Sequence, residues 1–137
     1  MPESLRGLIL ASDEEEAAQY YWQLENVVVV QGQLFEAAPA AVSVIMAALA
    51  DELSSASRGW CLELLFQLVS GESNQEAVGR GNLDLGERCR ANAREGLWLL
   101  YAEMARGKFD GAAQQVIQVL EHDKDRFNAF CQRPSGE

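Results

Sequence analysis

Residues 58–70 read RGWCLELLFQLVS, and what surrounds this run decides the fold. At helical spacing, after Arg58 at its start, the polar residues Glu63, Gln67 and Ser70 fall at i, i+4 and i+7 and form one thin stripe. Trp60 and Leu64, then Cys61, Leu65 and Leu68, then Leu62, Phe66 and Val69 fill the remaining directions. A surface helix carries a single apolar stripe, whereas one that is apolar around most of its circumference has neighbours on several sides. The run is therefore expected at the centre, with helices laid against at least two sides. It is too short to span a membrane, which takes about 20 apolar residues. Water on Trp60, Leu65 and Phe66, or a sheet built on Val27 to Val30, would overturn this architecture.

Outward from that centre the chain punctuates itself into further helices. A first helix is expected from Ser12, where Ser12 and Glu15 have capping-box spacing. Asp13, Glu14 and Glu16 there put negative charge on the positive end of the helix dipole. Ala17, Tyr20, Tyr21, Leu24 and Val28 continue it at helical spacing. Val27 to Val30 is β-branched, which suits a strand. The run is short, lacks an obvious hairpin mate and is followed by Gly32, so it is read as the fraying helix end. A second helix, from about Gln33 to Leu53, is interrupted by Pro39, where a kink or a fresh start is expected. Val42, Ile45, Met46, Leu49 and Leu53 make its inner face.

Ser54 to Ser57 is a turn and cap before the central helix, which Gly71 ends. Residues 71–86 form a Gly-rich loop, long enough to be a contact loop. Its GRGN at 79–82 lacks the Lys and Ser/Thr of a phosphate loop. A fourth helix, Glu87 to Arg106, places Ala93, Leu97, Leu100, Tyr101 and Met104 on one face and Trp98 off it. A fifth runs from Gly111 to Glu121, and a short last helix carries Phe127, Phe130 and Cys131. Helices in this order suggest antiparallel hairpins, first with second, third with fourth and fifth with sixth. The expected fold is all-α, a short α-α superhelix of about three such hairpins in one domain, 1–137.

Composition narrows the function. The 137 residues are 48% hydrophobic and 23% charged, as in globular domains, and the net charge is -10. That acidity disfavours nucleic acid, because phosphate binding needs basic residues to displace counterions. It suits a basic protein partner, since opposite charge speeds encounter. Cys61, Cys89 and Cys131 are odd in number and widely spaced, without a CxxC pair. Neither a disulfide scaffold nor a metal site is expected, and a reducing cytoplasm fits best. The N-terminal apolar patch is brief and runs into acids, unlike a secretory signal.

No catalytic set emerges. A nucleophile needs a base within reach, and the only histidine, His122, lies in a charged turn. Asp123 and Asp125 lack the glycine and terminal glutamate of a calcium loop. Cys61 is expected to be a buried small hydrophobe. Cys89, flanked by Arg88 and Arg90, is the better placed thiol for reactivity, because neighbouring cations lower a thiol pKa; a plain exposed cysteine is the alternative.

Two segments carry a resemblance. WQLEN at Trp22 to Asn26 and QGQLFEAAPAA at Gln31 to Ala41, followed by the R-x-x-x-L-E-L-L pattern of Arg58 to Leu65, resemble small bacterial HEAT-like helical-repeat proteins. Ala93 to Gly96 is similar to the start of a further repeat, while Lys108 to Phe130 departs from the pattern. Such relatives often accompany polymorphic toxins as immunity proteins. The resemblance thus implies a cytoplasmic protein that binds and neutralises a toxin; with no catalytic set among its residues, the chain is expected to be non-enzymatic and without cofactor. Trp22 and Phe35 carry over as packing positions.

A basic partner, with a nuclease toxin as the expected kind, would be met by Asp13, Glu14, Glu15, Glu16, Asp51, Glu52, Glu72 and Glu76. The alternative is an adaptor or homodimer built on an exposed Trp98 and the last helices.

Overall fold

The computed structural model describes residues 2–30, 33–73 and 75–132. Within them the chain forms α1 (Pro2–Leu10), α2 (Glu14–Val28), β1 (Val29–Val30), β2 (Gln33–Leu34), α3 (Ala38–Leu49) and α4 (Ser55–Ser70). Then follow β3 (Glu72–Ser73), α5 (Gln75–Gly79), α6 (Leu85–Arg94), α7 (Leu97–Arg106), α8 (Asp110–Leu120) and α9 (Lys124–Cys131). The fold is all-α.

The central helix is α4, and α1, α2, α3, α6 and α8 all pack against it. Cys61, Leu62, Leu64, Leu65, Leu68 and Val69 are buried, while Trp60 and Phe66 are half-buried. Glu63 and Ser70 of the polar stripe reach solvent. Ser54 caps the helix, its Oγ accepting from Ser57 N–H at 3.0 Å and donating to Ala11 O at 2.6 Å. Ser57 Oγ–H donates to Ile9 O at 2.8 Å, so two hydroxyls fasten the start of α4 to the end of α1. Satisfying helix-end groups this way stabilises the helix and fixes its position together.

Arg58, beside them, is buried. It donates to Leu49 O at 3.2 Å, to Asp51 O at 2.7 Å and to Glu103 of α7. One guanidinium thus caps the end of α3 and ties α4 to α7.

Pro39 marks a fresh start: it stands in the first turn of α3, where its missing N–H costs nothing. Val42, Ile45, Met46 and Leu49 are buried as their spacing predicts. Of the expected hairpins, α4 packs on α6 and α8 on α9, but α2 and α3 are not a principal packing pair. Instead α2 packs on α1 and α4, α3 packs chiefly on α6 as well as α4, and the closest consecutive pairs are α1 with α2 and α7 with α8. Gly107, at φ 82°, takes the left-handed conformation that ends α7.

Several boundaries differ from expectation. The first helix is α1, ahead of Ser12, with Leu5 and Leu8 buried. Asp13, and not Ser12, caps α2: its Oδ1 accepts from Glu16 N–H at 2.8 Å. Val29–Val30 is not a fraying helix end but pairs antiparallel with Gln33–Leu34, which in turn pairs parallel with Glu72–Ser73. The mate was hidden because it is two residues long and its other neighbour lies far along the chain. Gly32 lies outside the described residues. This is a sheet on the Val27 to Val30 run that was expected to overturn the architecture; with two residues per strand it only clips connections together, the core remains between helices, and the all-α fold stands. The 71–86 stretch is not an open loop either, since it contains β3 and α5, with Ala77 buried. The expected Glu87 to Arg106 helix is broken at Glu95–Gly96, where a Cβ on Gly96 would stand 2.7 Å from Met46 Cε.

Candidate functional site

Four aromatic residues from distant parts of the chain line one groove of about 620 Å³. α2 supplies Glu14, Tyr21 and Trp22; α4 supplies Ser55, Ala56, Gly59, Trp60 and Glu63; Phe109 arrives from the α7–α8 connection. Tyr21 and Trp22 are sequence neighbours, so on a helix they point about 100° apart. Tyr21 turns into the core, and Trp22 stays 56% exposed on the groove wall. Trp60 lies at the boundary of the α4 apolar surface and its stripe.

The rings form a cluster. Tyr21 and Trp60 centroids are 4.7 Å apart at 41°, Tyr21 and Trp22 are 5.2 Å apart at 75°, and Trp22 and Trp60 are 6.5 Å apart at 62°. Such edge and tilted packings place the positive rim of one ring on the negative face of another. Trp60 is pinned by its indole Nε1–H, which donates to Glu14 Oε1 at 2.7 Å. Phe109 fits over Gly59, where a Cβ would meet its Cε1 at 3.1 Å. Lys108 Nζ donates to Ser55 Oγ at 2.6 Å and lies 5.9 Å from the Phe109 centroid.

Two acidic side chains, Glu14 and Glu63, line the groove and one cation, Lys108, sits at its edge, so acidic groups outnumber basic ones around a neutral floor. Burial, then the charges of Glu63 and Glu25, push the Tyr21 hydroxyl up to about 12, so it stays a phenol at neutral pH. Glu63 is exposed and accepts from Gln67 Nε2 at 3.3 Å. Such a surface can hold a cation or an apolar group with a positive tip.

Of the expected contact residues, only Glu14 lines this groove. Asp13 is the α2 cap, Glu15 is exposed and Glu16 half-buried. Asp51 and Glu52 are exposed, with Asp51 Oδ1 accepting from Glu52 N–H at 2.9 Å. Glu72 pairs with Arg90 at 3.3 Å. Glu76 belongs to α5, but its side chain lies outside those described. Trp22, expected as packing, is a wall of the groove. Phe35 is half-buried. Nothing local in the sequence joins Tyr21, Trp60 and Phe109; the placement of aromatics at the edges of apolar stripes is the one signal that could have found them.

Cys61 is the buried small hydrophobe expected, whereas Cys89 is neither the reactive nor the exposed thiol expected of it. Cys61 and Cys89 are both buried, and burial raises them to about 11 and about 12 respectively. Cys89 faces the core, so its flanking arginines only partly oppose that rise. Among the described residues no group of three or more His, Cys, Asp or Glu side chains converges to hold a metal ion. Nor is any described helix long and apolar enough to cross a membrane.

Comparison of the chain with protein-family models, curated proteins and solved structures returned no match.

Proposed function

We propose that this chain is a non-enzymatic binding protein, an immunity protein that neutralises a cognate toxin in the cytoplasm by covering a basic surface on it. A nuclease is the toxin class that suits best, because its substrate-binding surface must be basic to hold phosphates. The observation that carries this reading is the groove, where aromatic rings meet two carboxylates, Glu14 and Glu63, in a chain of net charge -10. Interfaces draw their strongest contacts from aromatic anchors, and complementary charge supplies the encounter rate. The HEAT-like repeat architecture belongs to the same proposal, supported by the α1–α2 and α7–α8 pairs.

The test is co-expression with the product of the adjacent gene. Rescue of growth, and a complex whose affinity falls steeply with added salt, are expected. A toxin that kills equally in the presence of this chain would remove immunity.

A second reading has its own observation: Trp98 is 61% exposed. A homodimer or adaptor seated there would scatter light at micromolar concentration as more than one 15.1 kDa chain.

A further inference from the structure

Aromatic faces carry a negative quadrupole and carboxylates a full charge, so a groove walled by both selects cations, and selects among them by shape. We propose that the groove between α2 and α4 receives one arginine side chain projecting from a basic partner protein, its guanidinium laid against Trp22 and Trp60 and hydrogen-bonded to Glu63. This deepens the binding-protein reading and rests on it for the source of the arginine.

Each part of the groove has a task. Trp60 cannot swing freely, because Glu14 Oε1 holds its indole N–H at 2.7 Å. Trp22 presents its ring to solvent at 56% exposure, so an incoming group can cover it without unpacking the core. Glu63 is exposed, and its contact with Gln67 is long at 3.3 Å, so its carboxylate can accept a stronger donor. Tyr21 stays uncharged and gives the floor an apolar face. The chain's own cation, Lys108, is fastened at Ser55 and Phe109, and its repulsion directs a second cation to the tryptophan faces.

Shape decides between arginine and lysine. A guanidinium is planar, weakly hydrated and forked, so it stacks on indole and donates to a carboxylate at once; an ammonium is a compact, strongly hydrated charge. Charge argues for a protein as the source, since Asp13 and Glu15, exposed beside Glu14, extend the negative field beyond what a small cation would use.

The three tryptophans give three indole N–H signals in a proton–nitrogen correlation spectrum, one for each of Trp22, Trp60 and Trp98. Titration with N-acetyl-arginine methylamide is expected to move those of Trp22 and Trp60 saturably and to leave Trp98 in place. The neutral citrulline counterpart should move neither, and the lysine counterpart should bind more weakly. Trp22→Ala and Glu63→Gln, both at exposed positions, should each weaken the arginine probe about tenfold, with Trp98→Ala unchanged. Shifts of equal size with citrulline, tighter binding of lysine, movement of Trp98 alone, or no movement at all would each overturn the assignment. The toxin arm separates the two proposals. If Trp22→Ala and Glu63→Gln chains still rescue growth and bind the toxin as tightly as the unaltered chain, the arginine site falls and the immunity reading stands. If arginine saturates the groove but the adjacent toxin is not bound, the reverse holds.

Discussion

Replacing Arg58 with alanine removes a single guanidinium that serves three acceptors in the core of the molecule. Its side chain is buried, and it bonds Leu49 O, Asp51 O and Glu103. Glu103 is 1% exposed, and its Oε2 has no hydrogen-bond partner among the described residues. Arg58→Ala therefore leaves two carbonyls at the end of α3 and a buried carboxylate whose other cation, Arg106, is more than half exposed. Breaking a buried pair by deleting one partner costs about 3–5 kcal/mol, against a total stability of about 5–15. With a urea slope of about 2 kcal/mol per molar, the unfolding midpoint should fall by roughly 2 M. The double change Arg58→Ala with Glu103→Leu removes both charges together. It should recover only the share of the loss owed to the stranded carboxylate, because the two carbonyls remain unsatisfied at about 1–3 kcal/mol each. Urea unfolding followed by far-ultraviolet circular dichroism measures all four corners of the cycle. A midpoint drop under about 0.5 M for Arg58→Ala, or a double variant as unstable as the two single losses added, would refute the reasoning.

Three more outcomes are open to measurement. Glu121 accepts both Arg126 donors at 2.8 Å and the Tyr101 hydroxyl at 2.7 Å, and Arg126 above all holds its carboxyl down at about 2. A folded pKa below the unfolded one gives stability that is complete above the unfolded value, about 4.3, and is lost as pH falls toward 2. Acid titration of stability should show that loss in the native chain and a flatter profile in Glu121→Gln; identical profiles would count against it. A thiol reagent should label Cys131 quickly, Cys61 and Cys89 only after denaturation, because those two are buried with raised pKa values; rapid labelling at two sites in the folded protein would contradict this. A Cβ added at Gly86 would lie 2.6 Å from the Gly71 carbonyl oxygen, so Gly86→Ala should destabilise by about 1–3 kcal/mol, and an unchanged melting temperature would be the opposing result.

The sequence disclosed whatever a local period can encode. The enclosure of α4 follows from how few of its positions are polar, and the buried face of α3 from Val42, Ile45, Met46 and Leu49. Arg58 escaped notice because a charged residue at a helix start reads as solvated; only the placement of Glu103, 45 residues on, makes it a buried tie. The β clip escaped because β2 and β3 meet across the whole of α3 and α4. Among the candidate contact acids, Glu14 came into the groove because Trp60 on α4 bonds it, whereas Glu72 was drawn into an ion pair with Arg90. The groove itself is assembled from three separate segments, and no periodicity relates Trp22, Trp60 and Phe109.

The walls of α4 come from opposite ends of the chain, α1 in the first ten residues and α8 at Asp110–Leu120. Because synthesis delivers the N-terminal parts first, a ribosome that has released α4 still has some fifty residues to make before its last wall exists. Throughout that interval Leu62, Leu65 and their neighbours are sticky and unsheltered. Interrupted translation or a nick near Gly107 would leave an adhesive fragment where the whole chain forms a closed core.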